Sequence, residues 1–438
     1  MTQSNTQTNK NRNYLLMYRQ ISASSTLLLN EQSAAIEKNG RQVFRFGFGQ
    51  SPFPISSVLK AALIEHAHRK EYTQVQGLQA LRKKVAEFHS AFENRPISEE
   101  QVFIAPGSKA LLYTIMCTYT KAAVLIPAPA WVSYAPQAEL IGHATFMMQT
   151  SYAQRYRITP EILEKSLAAA AKNYQSLLVV LNSPGNPDGL CYTQTELQAL
   201  TVVLEKYQAK VISDEIYAPL QHDNQHVSIA KYYPKGTFVT SGLSKWAGAG
   251  GWRLGIAILP EDCDSQLKDS MLGIASETYS CASSPIQHAA ITAYSDNLMM
   301  QQYVKDQRTI LSALGKHIHK AVIDAGLNAH APEGGFYLLL DFTTYRQSLI
   351  NIGLCTDSDI CKKVLEDVGV ALLPGVSFGL PPVALCARLA YVDFDGKQAL
   401  EDIATQPWSE ALTKKHSQKM SKGIENLGYY LTQIAQAN

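Results

Sequence analysis

The chain has 438 residues, which is too long for one compact core and long enough for two or three domains. Its hydrophobic fraction is 46%, its charged fraction is 17% and its formal net charge is +2. This balance, without a long basic cluster, argues against nucleic acid or an anionic membrane surface as a partner. The seven cysteines are scattered without a C-x-x-C pair, which argues against a disulfide framework or a zinc site and favours a cytoplasmic location.

The N-terminus is polar and lacks the apolar stretch of a secretory signal. We therefore predict a flexible tail over residues 1–20, followed over residues 21–60 by an arm that forms part of a small domain. No apolar run approaches the roughly 20 residues that a transmembrane helix needs.

Short apolar runs alternate with helical patterns between residues 61 and 315. The runs at residues 102–105, 123–126, 177–181 and 210–213 each end in turn-forming or polar residues. This alternation predicts a large α/β domain with a mostly parallel sheet covered by helices. In such sheets ligands bind at the carboxyl ends of the strands. The separated strand-like runs after residue 315 predict a smaller α+β domain over residues 316–438, completed by residues 41–46.

A glycine-rich segment joins Lys245 to Arg253 and is the most informative motif of the chain. A lysine amine can condense with an aldehyde, and an arginine fork can hold a phosphate. An aldehyde and a phosphate on one small molecule describe pyridoxal 5′-phosphate. The alternatives are a surface loop with two solvated cations, or a dinucleotide-binding turn. The second alternative is weak, because the last glycine of that fingerprint is replaced by Arg253.

Residues at the predicted strand ends supply what this cofactor needs. Asp214 can pair with the protonated ring nitrogen, although it can also be a helix N-cap. Tyr217 and Asn186 can offer a phenol and an amide to the ring hydroxyl, and Trp131 can stack on the ring. Tyr217 and Asn186 can also be plain turn or packing residues, and a tryptophan is more often simply part of the core.

Two further features can hold anionic groups. Gly107-Ser108-Lys109 is a turn that opens a helix, so its N–H groups form an anion site suited to the phosphate, with Arg253 completing the clamp. Arg388, on a predicted strand, can hold a substrate carboxylate in a bidentate pair; a structural salt bridge is the alternative.

With these motifs, the chain resembles the class I aminotransferases, the pyridoxal-phosphate enzymes of the aspartate aminotransferase type. The resemblance runs from about residue 23 to about residue 390, with its landmarks in the family's order. It implies the fold type I architecture, in which a mostly parallel seven-stranded sheet carries the cofactor beside a smaller α+β domain. Further landmarks that carry it are Gly49-Gln-Ser-Pro-Phe, Tyr72-x-x-x-x-Gly77, Asn182-Ser-Pro-Gly-Asn-Pro, Gly334-Gly-Phe-Tyr and Pro374-Gly-Val-Ser-Phe-Gly379.

The resemblance implies a role for each matching residue. The implied catalytic residues are Lys245, Asp214 and Tyr217, with Lys245 bonded to the cofactor aldehyde. The implied cofactor contacts are Tyr72, Gly107, Ser108, Lys109, Trp131, Asn186, Asp214, Tyr217, Ser241, Ser244, Lys245 and Arg253. The implied substrate contacts are Ser24, Thr26, Gly49, Lys109, Trp131, Asn186 and Arg388. Tyr72 would reach the phosphate of the neighbouring subunit, which implies a homodimer with shared active sites.

The implied reaction moves an amino group from an amino acid to a 2-oxo acid in a ping-pong cycle. An acidic substrate is favoured, because a bacterial branch of the family holds the second carboxylate with a lysine matching Lys109 and with a serine and threonine matching Ser24 and Thr26. Against this, Gly185 and Asp188 depart from the family's pattern, and Asp188 places a negative charge near the site.

Other functions stay open on the same scaffold. The alternatives are an aminotransferase for aromatic or neutral amino acids and a β-eliminating carbon–sulfur lyase. A DNA-binding regulator and an inactive binding protein are less favoured, because the N-terminal arm is short and the implied catalytic residues are all present.

Overall fold

The computed structural model of the chain describes residues 25–437. The strands are β1 Phe44–Arg45, β2 Val102–Ala105, β3 Ala123–Ala128, β4 Ala144–Gln149, β5 Leu177–Asn182, β6 Lys210–Asp214, β7 Thr237–Gly242, β8 Gly255–Ile258, β9 Tyr337–Asp341, β10 Val370–Ala371, β11 Leu373–Pro374 and β12 Cys386–Ala390. The α-helices are α1 Ser25–Lys38, α2 Ser57–His66, α3 Gln79–Glu93, α4 Ser108–Cys117, α5 Tyr134–Ile141, α6 Pro160–Ala170, α7 Gln194–Lys206, α8 Ser265–Thr278, α9 Ser284–Tyr294, α10 Leu298–Asp324, α11 Arg346–Asn351, α12 Asp357–Val368, α13 Gly396–Thr405 and α14 Glu410–Gln436.

A seven-stranded sheet forms the centre of the molecule, in the order β2-β8-β7-β6-β5-β3-β4. The pairs from β4 through β7 are parallel, and β8 runs antiparallel to both of its neighbours. The carboxyl ends of the parallel strands and the beginning of β8 therefore meet at one edge. This arrangement confirms the predicted α/β class with a mostly parallel sheet.

Helices cover both faces of the sheet because its central strands are apolar on both sides. Val124 and Ile126 of β3 pack into one buried cluster with α4 and α5 residues, whereas Ala123 and Leu125 pack into a second cluster with α6 and α7 residues. Local signals set the helix limits: α7 begins after a capping box in which the Thr193 and Glu196 side chains each accept a backbone N–H of the other residue.

The smaller sheet has the order β11-β12-β9 and is antiparallel. The short strand β1 pairs in parallel with β10, so residues near the N-terminus join this C-terminal region. The long helix α10 spans residue 315, where the sequence places the domain boundary, and that boundary stays a prediction. Within residues 25–437, no helix combines the length and the apolarity needed to cross a lipid bilayer.

Candidate active site

A cavity of about 510 Å³ opens at the carboxyl edge of the large sheet, between that sheet and the β9–β12 sheet. Its walls bring together most of the site residues that the sequence predicts. Those that line it are Thr26, Gly49, Ser108, Lys109, Trp131, Asn186, Asp214, Tyr217, Ser244, Lys245, Arg253 and Arg388. Most of them lie at or after the end of a strand that ends at this edge, and Arg253 precedes β8, which begins there. The others come from the N-terminal segment or from β12.

Lys245 lies just beyond β7, and its amine is buried against the N-terminal segment. The Nζ atom donates a hydrogen bond to the Gly49 carbonyl at 2.5 Å. Burial, followed by the nearby positive charges of Arg388 and Arg253, lowers the pKa of Lys245 to about 8, although Asp214 opposes the shift. An amine with this pKa is partly neutral near physiological pH, as a nucleophile or proton carrier must be.

Asp214 ends β6 and is buried at the floor of the cavity. Its Oδ2 atom accepts a hydrogen bond from the Tyr134 hydroxyl at 2.7 Å, and Oδ1 accepts one from the backbone N–H of Ile216 at 3.3 Å. Burial raises the pKa of Asp214 to about 6 even against these two hydrogen bonds, which lower it. A buried carboxylate of this kind gains a great deal from a protonated ring nitrogen beside it.

Arg388 is buried in β12, with 3% of its surface exposed. Its guanidinium donates to the Asn186 side-chain oxygen at 3.0 Å and to the Gly47 carbonyl at 2.7 Å. The Nε atom has no hydrogen-bond partner among residues 25–437, and no ion pair of these residues includes Arg388. A buried arginine that is bonded only to neutral oxygens can accept a carboxylate in a bidentate pair.

The N-terminus of α4 faces the same cavity beside Arg253. Gly107, the N-cap residue, has a φ of 93°, and no side chain of the described residues caps this helix end. The N–H groups of Gly107 and Ala110 donate to backbone carbonyls, which leaves those of Ser108 and Lys109 available to an anion. Gly255 lets the start of β8 lie against this helix end, because a Cβ at Gly255 would lie only 2.2 Å from the Ser108 nitrogen. The Lys109 amine lies 4.9 Å from the centre of the Trp131 ring, and burial lowers the pKa of Lys109.

These groups fit pyridoxal phosphate. The uncapped helix end and Arg253 match a phosphate, the Asp214 carboxylate matches a protonated ring nitrogen, and the Lys245 amine matches an aldehyde. The unpartnered Arg388 Nε atom leaves a place for the carboxylate of an amino acid. The cavity is also large enough for a small molecule of this size.

Some predicted residues lie elsewhere. Ser241 points away from the cavity, since its buried hydroxyl donates to the Glu215 carbonyl at 3.5 Å. Tyr72 is 90% exposed and does not line the cavity within this chain. Gly107 is not among the residues that line the cavity, although a Cβ at this position would lie 2.3 Å from the Arg253 guanidinium. Ser24 lies outside the described residues.

Two tyrosines that the sequence analysis did not assign to the site also line the cavity. Tyr134 follows Trp131 by three positions, and Tyr337 ends the Gly334-Gly-Phe-Tyr landmark. Tyr337 belongs to a family landmark named above, and Tyr134 lies close to the predicted cofactor contact Trp131, so these positions were the available signal. Their hydrogen-bond partners, Asp214 and Tyr217, lie 80 and 120 residues away in the chain.

The negative charge of Asp188 is neutralised locally. Asp188 is buried and forms an ion pair with Arg157, which is buried as well, and it also accepts the backbone N–H of Leu190 at 2.9 Å. Asp188 lines a separate small cavity, not the one that contains Lys245. The charge of Asp188 is therefore compensated by Arg157 inside the protein and is not directed at a bound substrate.

Comparisons with known proteins identify the class. The model of the family "Aminotransferase class I and II" matches residues 41–394. The aspartate aminotransferase of Geobacillus stearothermophilus is 31% identical over 371 residues, covering 82% of this chain and 90% of the relative. The asparagine–oxo-acid transaminase of Streptococcus mutans is 29% identical, with the same shares covered.

Solved structures agree with this assignment. The aspartate aminotransferase of Rhizobium meliloti superposes with a TM-score of 0.78 at 25% identity, covering 93% of this chain and 97% of that one. That of Thermus thermophilus, solved with maleate, gives a TM-score of 0.77 at 21% identity, covering 93% of this chain and all of that one, and supports the fold alone. The chain belongs to the class I and II aminotransferases. It is a pyridoxal-phosphate-dependent enzyme that acts on amino acids and 2-oxo acids, as the sequence predicted.

Proposed function

We propose that this aminotransferase prefers acidic amino acids, aspartate or glutamate or a related dicarboxylate, with a 2-oxo acid as amino acceptor. The observation that carries the proposal is the pair of cations on one cavity. Arg388 and Lys109 both line it, and neither is in an ion pair within the described part of the chain. A substrate with two carboxylates can satisfy both charges, whereas an apolar side chain leaves the charge of Lys109 partly desolvated and unpaired.

The side-chain carboxylate of such a substrate would have a second polar neighbour in the same cavity, besides Lys109. Thr26, in the first turn of α1, lines the cavity that Lys109 lines. Its hydroxyl is available to a substrate carboxylate, as the resemblance implies for this position. The relatives support the same substrate class, since several are named aspartate aminotransferases and one an asparagine–oxo-acid transaminase.

The roles of the chain's own residues follow from their chemistry. The Arg388 guanidinium binds and orients the substrate α-carboxylate, and Asn186 holds that guanidinium through its side-chain oxygen. The helix end at Ser108 and the Arg253 guanidinium hold the phosphate. Trp131 covers one face of the site and limits access of water to it.

Bound pyridoxal phosphate supplies an aldehyde and a protonated ring that withdraws electrons from the substrate's Cα–H bond. The Asp214 carboxylate would keep the ring nitrogen protonated, and the Tyr217 hydroxyl would donate to the ring oxygen. The Lys245 Nζ atom would remove the proton from the substrate Cα and return a proton to the carbon that carried the cofactor's aldehyde oxygen, acting as base and then acid. In the first half-reaction a water molecule would supply the oxygen of the released 2-oxo acid, and the amino group would remain on the cofactor. In the reverse half-reaction a second 2-oxo acid would take up that amino group and release water.

A homodimer with shared active sites completes the proposal. Tyr72 is 90% exposed in the single chain, which leaves its side chain free to reach a neighbouring subunit, as the resemblance implies. Tyr72 then contacts the phosphate bound by the other subunit. We also propose a cytoplasmic location, because all seven cysteines, which lie within residues 25–437, are free.

The test is the visible absorption spectrum of the purified protein during addition of single amino acids without an acceptor. Bleaching of the yellow band by aspartate or glutamate, but not by alanine or phenylalanine at the same concentration, is the expected result. A response only to neutral or aromatic amino acids contradicts the acidic preference. Release of pyruvate from a thioether amino acid without any 2-oxo acid supports the carbon–sulfur lyase instead.

A further inference from the structure

Tyr337 lies beside Arg388 because of the register of the smaller sheet. Arg388 of β12 pairs with Leu339 of β9, and Tyr337 pairs with Ala390. Directly opposite residues share a face of the sheet, and so do residues two apart on one strand, so Tyr337 and Arg388 are diagonal neighbours. The guanidinium carbon of Arg388 lies 4.7 Å from the centre of the buried Tyr337 ring, within the range of a cation–π interaction.

The hydroxyl of Tyr337 reaches the opposite wall of the cavity. It lies 2.8 Å from the Tyr217 hydroxyl and 3.5 Å from the Gly49 carbonyl, which is the carbonyl that accepts from Lys245. Gly49 has to lack a side chain here, because a Cβ would lie 2.1 Å from the Tyr337 hydroxyl oxygen. The Tyr337 side chain of β9 thus contacts Arg388, the Gly49 carbonyl and the Tyr217 hydroxyl.

The 2.8 Å contact between the two tyrosine hydroxyls allows either one to donate, so its direction depends on where the other proton goes. Burial raises the pKa of both phenols above their ordinary value, so each carries one proton to donate. If Tyr217 donates its proton to the cofactor's ring oxygen, the proton of Tyr337 is the one left for the contact between the two hydroxyls. That contact, at 2.8 Å, is shorter than the 3.5 Å contact with the Gly49 carbonyl that competes for the same proton. A hydroxyl that accepts a hydrogen bond becomes a stronger donor, because neighbouring hydrogen bonds polarise one another.

We propose that Tyr337 is a positioning residue that holds and strengthens the Tyr217 hydroxyl as a donor, while its ring supports the substrate-binding Arg388. This inference rests on the proposed contact between Tyr217 and the ring oxygen. The charged groups that face the two phenols are Arg388 from β12, Lys245 after β7 and Asp214 at the end of β6.

Tyr337→Phe separates the two contacts, because it removes the hydroxyl and keeps the ring. The expected result is a rise in the pH midpoint of the bound cofactor's visible absorption change, by up to about one pH unit, since the negative ring oxygen loses part of its donor. The dissociation constant for pyridoxal phosphate added to cofactor-free protein, followed by protein fluorescence, rises by about 2- to 10-fold. The KM for the amino acid changes less, since Arg388 keeps the ring beneath it.

Tyr391→Phe is the matched control. Tyr391 is also fully buried, and its hydroxyl donates to the Gly335 carbonyl at 3.2 Å, but it does not line the cavity. This variant leaves the pH midpoint and the dissociation constant unchanged. Tyr337→Leu removes the ring as well and raises the KM for the amino acid beyond that of Tyr337→Phe.

Tyr217→Phe distinguishes failure of this inference from failure of the proposed function. If Tyr217→Phe raises the pH midpoint and Tyr337→Phe behaves like the Tyr391 control, the role of Tyr337 is overturned and that of Tyr217 stands. If neither variant moves the midpoint, the proposed Tyr217 contact fails, and the inference fails with it. A rise in both variants, larger for Tyr217→Phe, supports the two tyrosines as one chain of donors.

Discussion

The Tyr134 hydroxyl donates a hydrogen bond to the Asp214 carboxylate at 2.7 Å, and both side chains are buried. Tyr134 begins α5, at the end of the loop after β3, and Asp214 ends β6, so the contact joins two separate strand ends of the large sheet. Without this donor, Asp214 would have only the Ile216 N–H to stabilise its ionised form in the cofactor-free protein. The tyrosine therefore helps to maintain the charge that the cofactor's ring nitrogen requires.

The first prediction concerns the pH dependence of stability in cofactor-free protein. Asp214 has a folded pKa of about 6 and a reference value of 3.8, so the folded state binds the proton more tightly. Its contribution to the free energy of unfolding is therefore complete below the reference value and is lost as pH rises through about 6. A shift of roughly two units corresponds to a loss of about 3 kcal/mol, as an upper bound.

Tyr134→Phe should move this loss of stability to higher pH, because removing the donor raises the pKa of Asp214 further. Urea denaturation at a series of pH values measures it. Asp214→Asn is the control, because it removes the carboxyl group whose titration causes this loss of stability. Burial also raises the pKa of Asp357 to about 6, and Asp357 titrates in every variant. Identical curves for Tyr134→Phe and the unaltered protein would show that the hydrogen bond does not stabilise the carboxylate.

The second prediction concerns Lys245, whose pKa is lowered from 10.5 to about 8. The unfolded chain binds the proton more tightly, so a stability cost develops as pH falls from the reference value through about 8. Lys245→Met should therefore make the cofactor-free protein more stable near neutral pH, by up to about 3 kcal/mol, and no more stable at high pH.

The same Lys245→Met variant should lose transamination by at least about 10²- to 10⁴-fold, the usual effect of removing a catalytic base. Lys235→Met, at an exposed position, should change neither stability nor activity. Retained turnover in Lys245→Met would contradict the catalytic role of this residue.

The third prediction tests the substrate class. Lys109→Ser should lower kcat/KM for aspartate and glutamate by about 10-fold or more relative to alanine, since a charge-assisted hydrogen bond is lost. Lys172→Ser, which removes an exposed lysine, should change neither value. Equal losses for all substrates, together with weaker cofactor binding, would assign Lys109 to the phosphate instead.

The fourth prediction separates stability from specificity at Asp188. Asp188→Asn leaves Arg157 buried without its partner, so the free energy of unfolding should fall by about 3 to 5 kcal/mol. Glu164→Gln breaks an exposed ion pair with Lys206 and should cost less than about 1 kcal/mol. The ratio of aspartate to alanine turnover should stay the same in both; a changed ratio in Asp188→Asn with unaltered stability would show that its charge reaches the substrate.

The sequence by itself determined most of the residues that meet at the cavity. Apolar runs that end in polar residues set the strand ends, and parallel strands place those ends at one edge, so Lys245, Asp214 and Trp131 could be assigned to one site before any coordinates. The order of the family's landmarks then identified the cofactor and the class of reaction. All of this depends on local pattern and chain order, which are readable from one sequence.

Only the tertiary structure decided which side chains bond to one another. The Ser241 side chain turns away from the cavity and donates to the Glu215 carbonyl. The charge of Asp188 is neutralised by Arg157, which lies 31 residues away in the chain. The contacts Tyr134–Asp214 and Tyr337–Tyr217 join elements that are far apart in the chain. A hydrogen bond requires its two atoms to lie within a few tenths of an ångström of the right distance, and only the packing of whole elements sets such positions.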